Sequence, residues 1–214
     1  MPNARRSSAA PRNSQQPPRA WQRMLSGRRL DLLEPSAFDV EVEDIAHGLA
    51  RVARWNGQTK GDHAFSVAQH SLVVEEITGI LAPSISPAER LTALLHDAPE
   101  YVIGDMISPF KNALGVNYRA FEDRLERAIH LRFGLPPKTP APLKKLIKRA
   151  DLICAWFEAT QLAGFNVDES NQFFGAPPAD IRITLEPLPA MQVQAAYVAR
   201  FNVLLEMIDK TART

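Results

Sequence analysis

The chain has 214 residues, 45% hydrophobic and 23% charged; this globular composition excludes a wholly disordered or fibrous protein and leaves room for one domain with a real core. A single cysteine, Cys154, excludes a disulfide framework and a cysteine-based zinc knuckle, and no apolar run approaches the ~18 residues of a membrane span. The net charge of +1 hides an asymmetry: residues 1 to 30 hold seven arginines and no acid, so the other 18 basic and 24 acidic residues leave the body at −6, a poor surface for nucleic acid.

In chain order, residues 1 to 20 are rich in Pro, Ser, Gln, Asn and Arg and read as a disordered tail or a strap across a neighbouring subunit. They have no apolar segment of a secretory signal, and four prolines by position 18 argue against the amphipathic helix of a transit peptide. We take residues 1 to 30 as a basic tail, disordered or extended, and 31 to 214 as the folded body. The spacing of Ile45, Leu49 and Val52 predicts a helix from Val42 to Trp55, with Asp44 as its N-cap and Asn56-Gly57 as its end. A second helix is predicted from about Ala64 to Leu81, burying Val67, Ala68, Leu72 and Ile77.

Ser86-Pro87-Ala88-Glu89 is a full helix-start signal, with a capping serine, proline at the first helical position and glutamate three residues after the cap. That helix carries Leu91, Leu94 and Leu95 into His96 and Asp97, and Pro99 is expected to stop or bend it. Gly104 to Pro109 reads as loop. Asn117 to Phe133 is amphipathic through Phe121, Leu125, Ala128 and Ile129, with Gly134 as terminator. Thr139-Pro140 opens a long helix to about Leu162, the proline-rich residues 176 to 189 form a connection with a short extended piece at Ile181 to Leu185, and a last helix runs from about Ala190 to Lys210. With no internal repeat, the fold class is all-α, in a single domain.

Chemistry can reside in few places. Of the five histidines, His130 reads as surface or helix-end, and His47 as a hydrogen-bonded core residue. His63 and His70, seven apart, are expected on one face of a continuous helix. Asp151 sits in an apolar helical face between Ala150 and Leu152, where a carboxylate needs a cation; an ion pair with Arg54 or Lys148 and a metal-ligand role both remain open. His70, His96-Asp97 and Asp151 together offer two imidazoles and two carboxylates from three helices. Such a set suits a first-row divalent ion with open positions, which meets the needs of phosphate-ester hydrolysis. Glu100 and Asp105 follow closely and could handle protons, or could serve only as helix-end and turn residues.

A resemblance rests on Arg54-Trp55, Ser66-Val67-Ala68-Gln69-His70-Ser71, Leu94 to Glu100, Gly104-Asp105 with Ser108-Pro109 and Lys111, and Lys148-Arg149-Ala150-Asp151. Over about residues 42 to 165 the chain resembles the HD-domain metal-dependent phosphohydrolases. More narrowly, it is similar to the bacterial 5′-deoxynucleotidase group and to phage and bacterial relatives that hydrolyse deoxynucleoside triphosphates. The resemblance implies a helical bundle with one divalent transition metal ion (Mn, Co, Ni, Zn or Fe, or else Mg) on His70, His96, Asp97 and Asp151. It implies Glu100 and Asp105 as catalytic acids and Arg54 and Trp55 beside the nucleotide, with Lys111 as a further phosphate charge. His63 has no firm counterpart; it lies with Lys60 where a longer phosphate tail could be held, which keeps a triphosphohydrolase as the alternative.

The expected activity is thus a cytoplasmic 5′-nucleotidase acting on deoxynucleoside 5′-monophosphates, with no stable nucleic-acid complex and no membrane association. A homo-oligomer, with a dimer favoured, is expected from the family and from the apolar C-terminal helix (Val193, Tyr197, Val203, Leu204, Ile208), residues that would serve equally as core. The rivals are a catalytically silent metal- and nucleotide-binding module and a helical interaction protein with core histidines.

Overall fold

Helical periodicity dominates the computed structural model, which describes residues 20–105 and 116–213. Helix α1 spans Val42–Leu49, α2 Val67–Leu81, α3 Pro87–Leu94 and α4 Glu100–Ile103. Then come α5 at Val116–Arg132, α6 at Ala141–Gln161, α7 at Val167–Phe174 and α8 at Ala190–Ala212. The fold is mostly helical, as expected, but it also contains a small antiparallel hairpin, β1 (Trp21–Arg23) with β2 (Arg29–Asp31).

All of the hairpin but Asp31 falls within the residues assigned to the basic tail. Its turn is docked on α1, where the buried Asp44 accepts from the Ser26 amide at 2.9 Å and the Ser26 hydroxyl at 2.5 Å. Arg28 pairs with Glu41 at 2.6 Å, and Arg29 stacks over Trp21 at 4.5 Å from the ring centroid. Asp44 is therefore not the N-cap of α1; Glu41 takes that place, and Asp44 is an internal residue that anchors the hairpin.

Helix α1 ends at Leu49 instead of continuing to Trp55. Residues Arg54–Gly57 form a separate short turn in which Trp55 (φ 56°) and Asn56 (φ 51°) take left-handed backbone conformations. This turn is stapled to the start of α2 by Arg54 N–H to Phe65 C=O at 2.8 Å and Val67 N–H to Val52 C=O at 2.9 Å. The second helix begins later than expected because Ser66 caps it, accepting from the Gln69 amide. His63 therefore lies in the preceding loop, exposed, and does not share a helical face with His70.

Helix α3 has the predicted capping box but ends at Leu94, so His96 and Asp97 stand in a turn. Pro99 does not stop a helix; with φ −51° it caps the start of α4. Two starts agree well with the sequence, α5 within one residue of Asn117 and α6 just after Pro140. Helix α7 was missed, although Asn166 and Glu169 form a complete capping box for it. The expected extended piece at Ile181 to Leu185 is irregular chain held by two glutamines. Gln161 pairs with Ile183 C=O and Leu185 N–H at 2.8 and 2.9 Å, and Gln69 pairs with Glu186 C=O and Leu188 N–H at 2.6 and 3.2 Å.

Two apolar clusters share α2. Its residues Val67 and Ala68 join Ile45, Leu49, Leu94, Ile129, Tyr197 and Leu204 in one. Val74 and Ile77 join Phe65, Ile147, Ile153 and Phe157 in the other. Val193, Tyr197 and Leu204 are consumed by this packing, while Val203 is 46% exposed and Ile208 half-buried. The apolar character of α8 thus serves mainly the core. Helices α2, α3 and α8 are also tied by Glu75, a buried acid that receives a two-pronged contact from Arg200 at 2.8 and 2.9 Å and a further one from Arg90.

Candidate metal centre

His70, one turn into α2 and between the two clusters, is fully buried. Its Nε2 lies 3.5 Å from Asp97 Oδ2 and 3.4 Å from Asp151 Oδ1, while His96 Nε2 lies 3.2 Å from the same Asp97 oxygen. The two imidazole centroids are 5.3 Å apart. Thus α2 and the α3–α4 turn bring His70, His96 and Asp97 into one cluster, and α6 sets Asp151 against His70 at its edge. Of the two ion pairs left open for Asp151, the one with Lys148 is present, its other oxygen accepting at 2.8 Å.

The other ring nitrogens fix how the imidazoles face. His96 Nδ1 is 2.9 Å from Ala93 C=O, which can only accept, so Nδ1 carries the proton. His70 Nδ1 is 2.6 Å from Glu158 Oε1. Burial works to raise that carboxyl, but the Arg54 and His70 charges and the His70 and Trp55 hydrogen bonds outweigh it and hold Glu158 at about 2. Glu158 is therefore ionised, and it also accepts the His70 Nδ1 proton. Both Nε2 atoms are buried without a hydrogen-bond partner and turn toward Asp97.

Buried nitrogens in that condition are costly unless something else satisfies them. Two imidazoles that turn Nε2 toward carboxylate oxygens, with both Nδ1 atoms tied back, would suit a divalent cation once His70 gives up its Nε2 proton. Separations of 3.2 to 3.5 Å are close to the ~3.0 to 3.4 Å edge of an octahedron or tetrahedron with bonds of ~2.1 Å. A second group, His70, Cys154 and Glu158, is also close together. It fits an ion poorly: the 2.6 Å contact inside it is a proton-bearing hydrogen bond, and burial and then Glu158 push the Cys154 thiol up to about 12, so the thiol stays protonated and directed at Glu158, 3.3 Å away.

Glu158 was missed in the sequence, although it follows Phe157 on the same α6 face as Asp151 and Cys154 and carries the same signal that marked Asp151. Its second oxygen accepts the Trp55 indole N–H at 2.7 Å and meets Arg54 Nε at 3.3 Å. Arg54 also reaches Asp105 Oδ2 at 3.4 Å. Burial works to lower its pKa, but Glu158, Asp105, Asp97 and Asp151 raise it, so Arg54 stays charged. The Arg54-Trp55 pair therefore buttresses the acids behind the centre. The Trp55 ring packs on Phe165 and Phe174 at 5.5 and 6.0 Å.

Beside this cluster runs a cleft of about 240 Å³, whose wall includes His96, Asp97 and Asp151 with Lys144 and Lys148. Three acids of α5, Glu122, Asp123 and Glu126, complete its rim. Glu100 is buried at the start of α4, three residues after Asp97, and the Asp105 side chain is 10% exposed and held by Arg54. His63 is exposed and absent from the cleft wall. Lys111, like Ser108-Pro109, lies outside the described residues. Buried His130 donates Nδ1–H to Pro136 C=O at 2.8 Å in the last turn of α5, so of the two expected placements it takes the helix end and not the surface. His47 is half-buried.

No family model matches the chain. It is 58% identical over 195 residues to "Uncharacterized protein RCAP_rcc00048" of Rhodobacter capsulatus, covering 89% of this chain and 98% of that one. It is 30% identical over 172 residues to "Uncharacterized protein YfdR" of Escherichia coli, covering 79% of this chain and 86% of the other. The chain belongs to the family that these two proteins represent.

Proposed function

We propose that the protein is a divalent-metal-dependent phosphohydrolase of the HD-domain type, acting as a 5′-nucleotidase on deoxynucleoside 5′-monophosphates. The observation that carries this reading is the imidazole pair of His70 and His96, each tied at Nδ1 and each turning a buried Nε2 without a hydrogen-bond partner toward Asp97. The motif order supports it, since His70, His96-Asp97 and Asp151 follow the family signature.

His70, His96, Asp97 and Asp151 would hold the ion, which supplies Lewis acidity toward a phosphoryl oxygen and lowers the pKa of water. Lys144 and Lys148 in the cleft wall draw and steady the substrate phosphate. Glu100 and Asp105 are assigned the proton transfers at the attacking and leaving oxygens. Arg54 fixes Asp105 in place through their 3.4 Å contact. The buried single thiol suits a reducing, cytoplasmic setting.

The test is product analysis on metal-stripped protein re-supplied singly with Mn, Co, Ni, Zn and Mg, against deoxy- and ribonucleoside mono- and triphosphates. Orthophosphate from deoxynucleoside monophosphates supports the reading. Tripolyphosphate from a triphosphate moves the assignment to the triphosphohydrolase alternative. Metal binding with no phosphate released from any substrate points to a catalytically silent module. Glu100→Ala is expected to abolish hydrolysis while leaving metal binding intact.

A further inference from the structure

A second cleft, of about 470 Å³, opens on another flank of α6. Its walls carry Lys145, Lys148 and Arg149 on one side and Phe174, Pro177 and Pro178 on the other. Lys148 is common to both clefts and forms the ridge between them. The charge patterns of the two clefts differ sharply: the metal cleft is lined by five acids and two lysines, whereas every charged residue of the second cleft is a cation.

That arrangement is unfavourable on its own. Lys145 and Arg149 are i,i+4 neighbours on one helix, so like charges face each other. Neither has an ion-pair partner among the described residues, and Lys148 alone is neutralised, by Asp151 at 2.8 Å. Lys145 and Arg149, two cations without an acid beside a neutralised Lys148, therefore stand open to an anion.

The opposite wall is apolar and held firmly. Phe174 ends α7 with its ring against Trp55 at 6.0 Å, and Gly175, at φ +78°, turns the chain so that Pro177 and Pro178 follow. Half-buried rings fixed before binding lose little entropy when a flat group lies on them.

The geometry points to a second small-molecule site here, separate from the metal centre, for a polyanion joined to a flat apolar ring, the chemistry of a nucleoside polyphosphate. Phosphates sit on Lys145 and Arg149, and the ring lies against Phe174 and the two prolines. The site stands independently of the phosphohydrolase reading.

The experiment is calorimetric titration of the full chain, in chelator so that metal chemistry is silent, with ATP, inorganic tripolyphosphate and adenosine as separate probes. ATP is expected to bind more tightly than either fragment. The double variant Lys145→Glu/Arg149→Glu, in exposed residues, should weaken ATP by at least ~tenfold. Phe174→Leu should weaken ATP while leaving tripolyphosphate unchanged, a split that general damage to the fold does not produce. ATP binding of equal strength in the charge-reversed and parent proteins puts the ligand elsewhere and overturns the proposal, as does the absence of binding by both ATP and tripolyphosphate.

Discussion

The carboxylate of Glu158 accepts the His70 Nδ1–H at 2.6 Å through one oxygen and the Trp55 indole N–H at 2.7 Å through the other. One buried acid thus orients a proposed metal ligand and anchors the turn that carries Arg54 and Trp55. The turn is left-handed at Trp55 and Asn56, and conformations of that kind persist only where surrounding contacts hold them. Here the indole hydrogen bond and the Phe165 and Phe174 rings do so.

Glu158→Gln keeps an acceptor for His70 but removes the charge. Metal affinity is expected to fall by roughly 10- to 100-fold with the fold retained, the usual effect of weakening a carboxylate behind a metal-binding histidine. Competition against a calibrated chelator measures it, and unchanged affinity would show that Glu158 plays no part in orienting His70. Glu158→Ala is harsher, because Arg54, only 15% exposed, loses its buried partner; a loss of about 3–5 kcal/mol is expected.

The same carboxyl makes stability depend on acid. Its folded value of about 2 lies below the ordinary 4.5, so its contribution is complete above the unfolded value and disappears as pH falls toward the folded one. That interval corresponds to about 3 kcal/mol. Urea midpoints of metal-free protein should therefore drop more steeply from pH 5 to pH 3 in the parent than in Glu158→Gln. Parallel curves for the two proteins would contradict this assignment.

Much of the architecture was legible because helix signals are local. Ser86-Pro87-Ala88-Glu89 and Thr139-Pro140 mark starts that the chain uses, and the apolar spacing of α6 places Asp151 on an inward face. The errors arose where tertiary contacts override local pattern. The periodicity of Ile45, Leu49 and Val52 continues beyond α1, but backbone pairing with residues 65 to 67 draws the chain out of the helix. The hairpin depends on Asp44 receiving Ser26, a contact between residues 18 apart that no spacing rule detects. Glu158 and α7 were readable by signals already applied to Asp151 and Ser86.

Asn56 tests the left-handed turn directly. Asn56→Gly should leave stability unchanged or slightly improved, since glycine adopts φ 51° without strain. Asn56→Val should cost about 1–2 kcal/mol, because a β-branched side chain clashes with the backbone there. Thermal melts of the two variants separate these outcomes; equal melting temperatures would show that the turn relaxes.

Gly48 is a packing constraint at the contact of α1 with α4. A Cβ there would meet Tyr101 Cβ at 2.8 Å and Tyr101 C=O at 2.9 Å, so α1 and α4 touch where only glycine fits. Gly48→Ala should destabilise by about 1–3 kcal/mol. It should also displace α4, which begins with Glu100, and thereby lower any hydrolytic rate while metal affinity stays the same. Loss of metal together with rate would mean that the whole α3–α4 turn had moved.

Metal binding should release a proton from His70. Burial and Arg54 act to lower its pKa in the metal-free protein, but Glu158, Cys154 and Asp151 raise it well above the usual imidazole value. At neutral pH the ring is therefore an imidazolium whose Nε2 proton occupies the position a cation would take. A divalent ion must displace that proton, so affinity should climb by about tenfold per pH unit through neutrality and level off above the raised pKa. Calorimetric titrations in two buffers of different ionisation enthalpy count the protons released. About one proton per ion fits His70 as a ligand, whereas pH-independent binding with none released removes His70 from the metal centre.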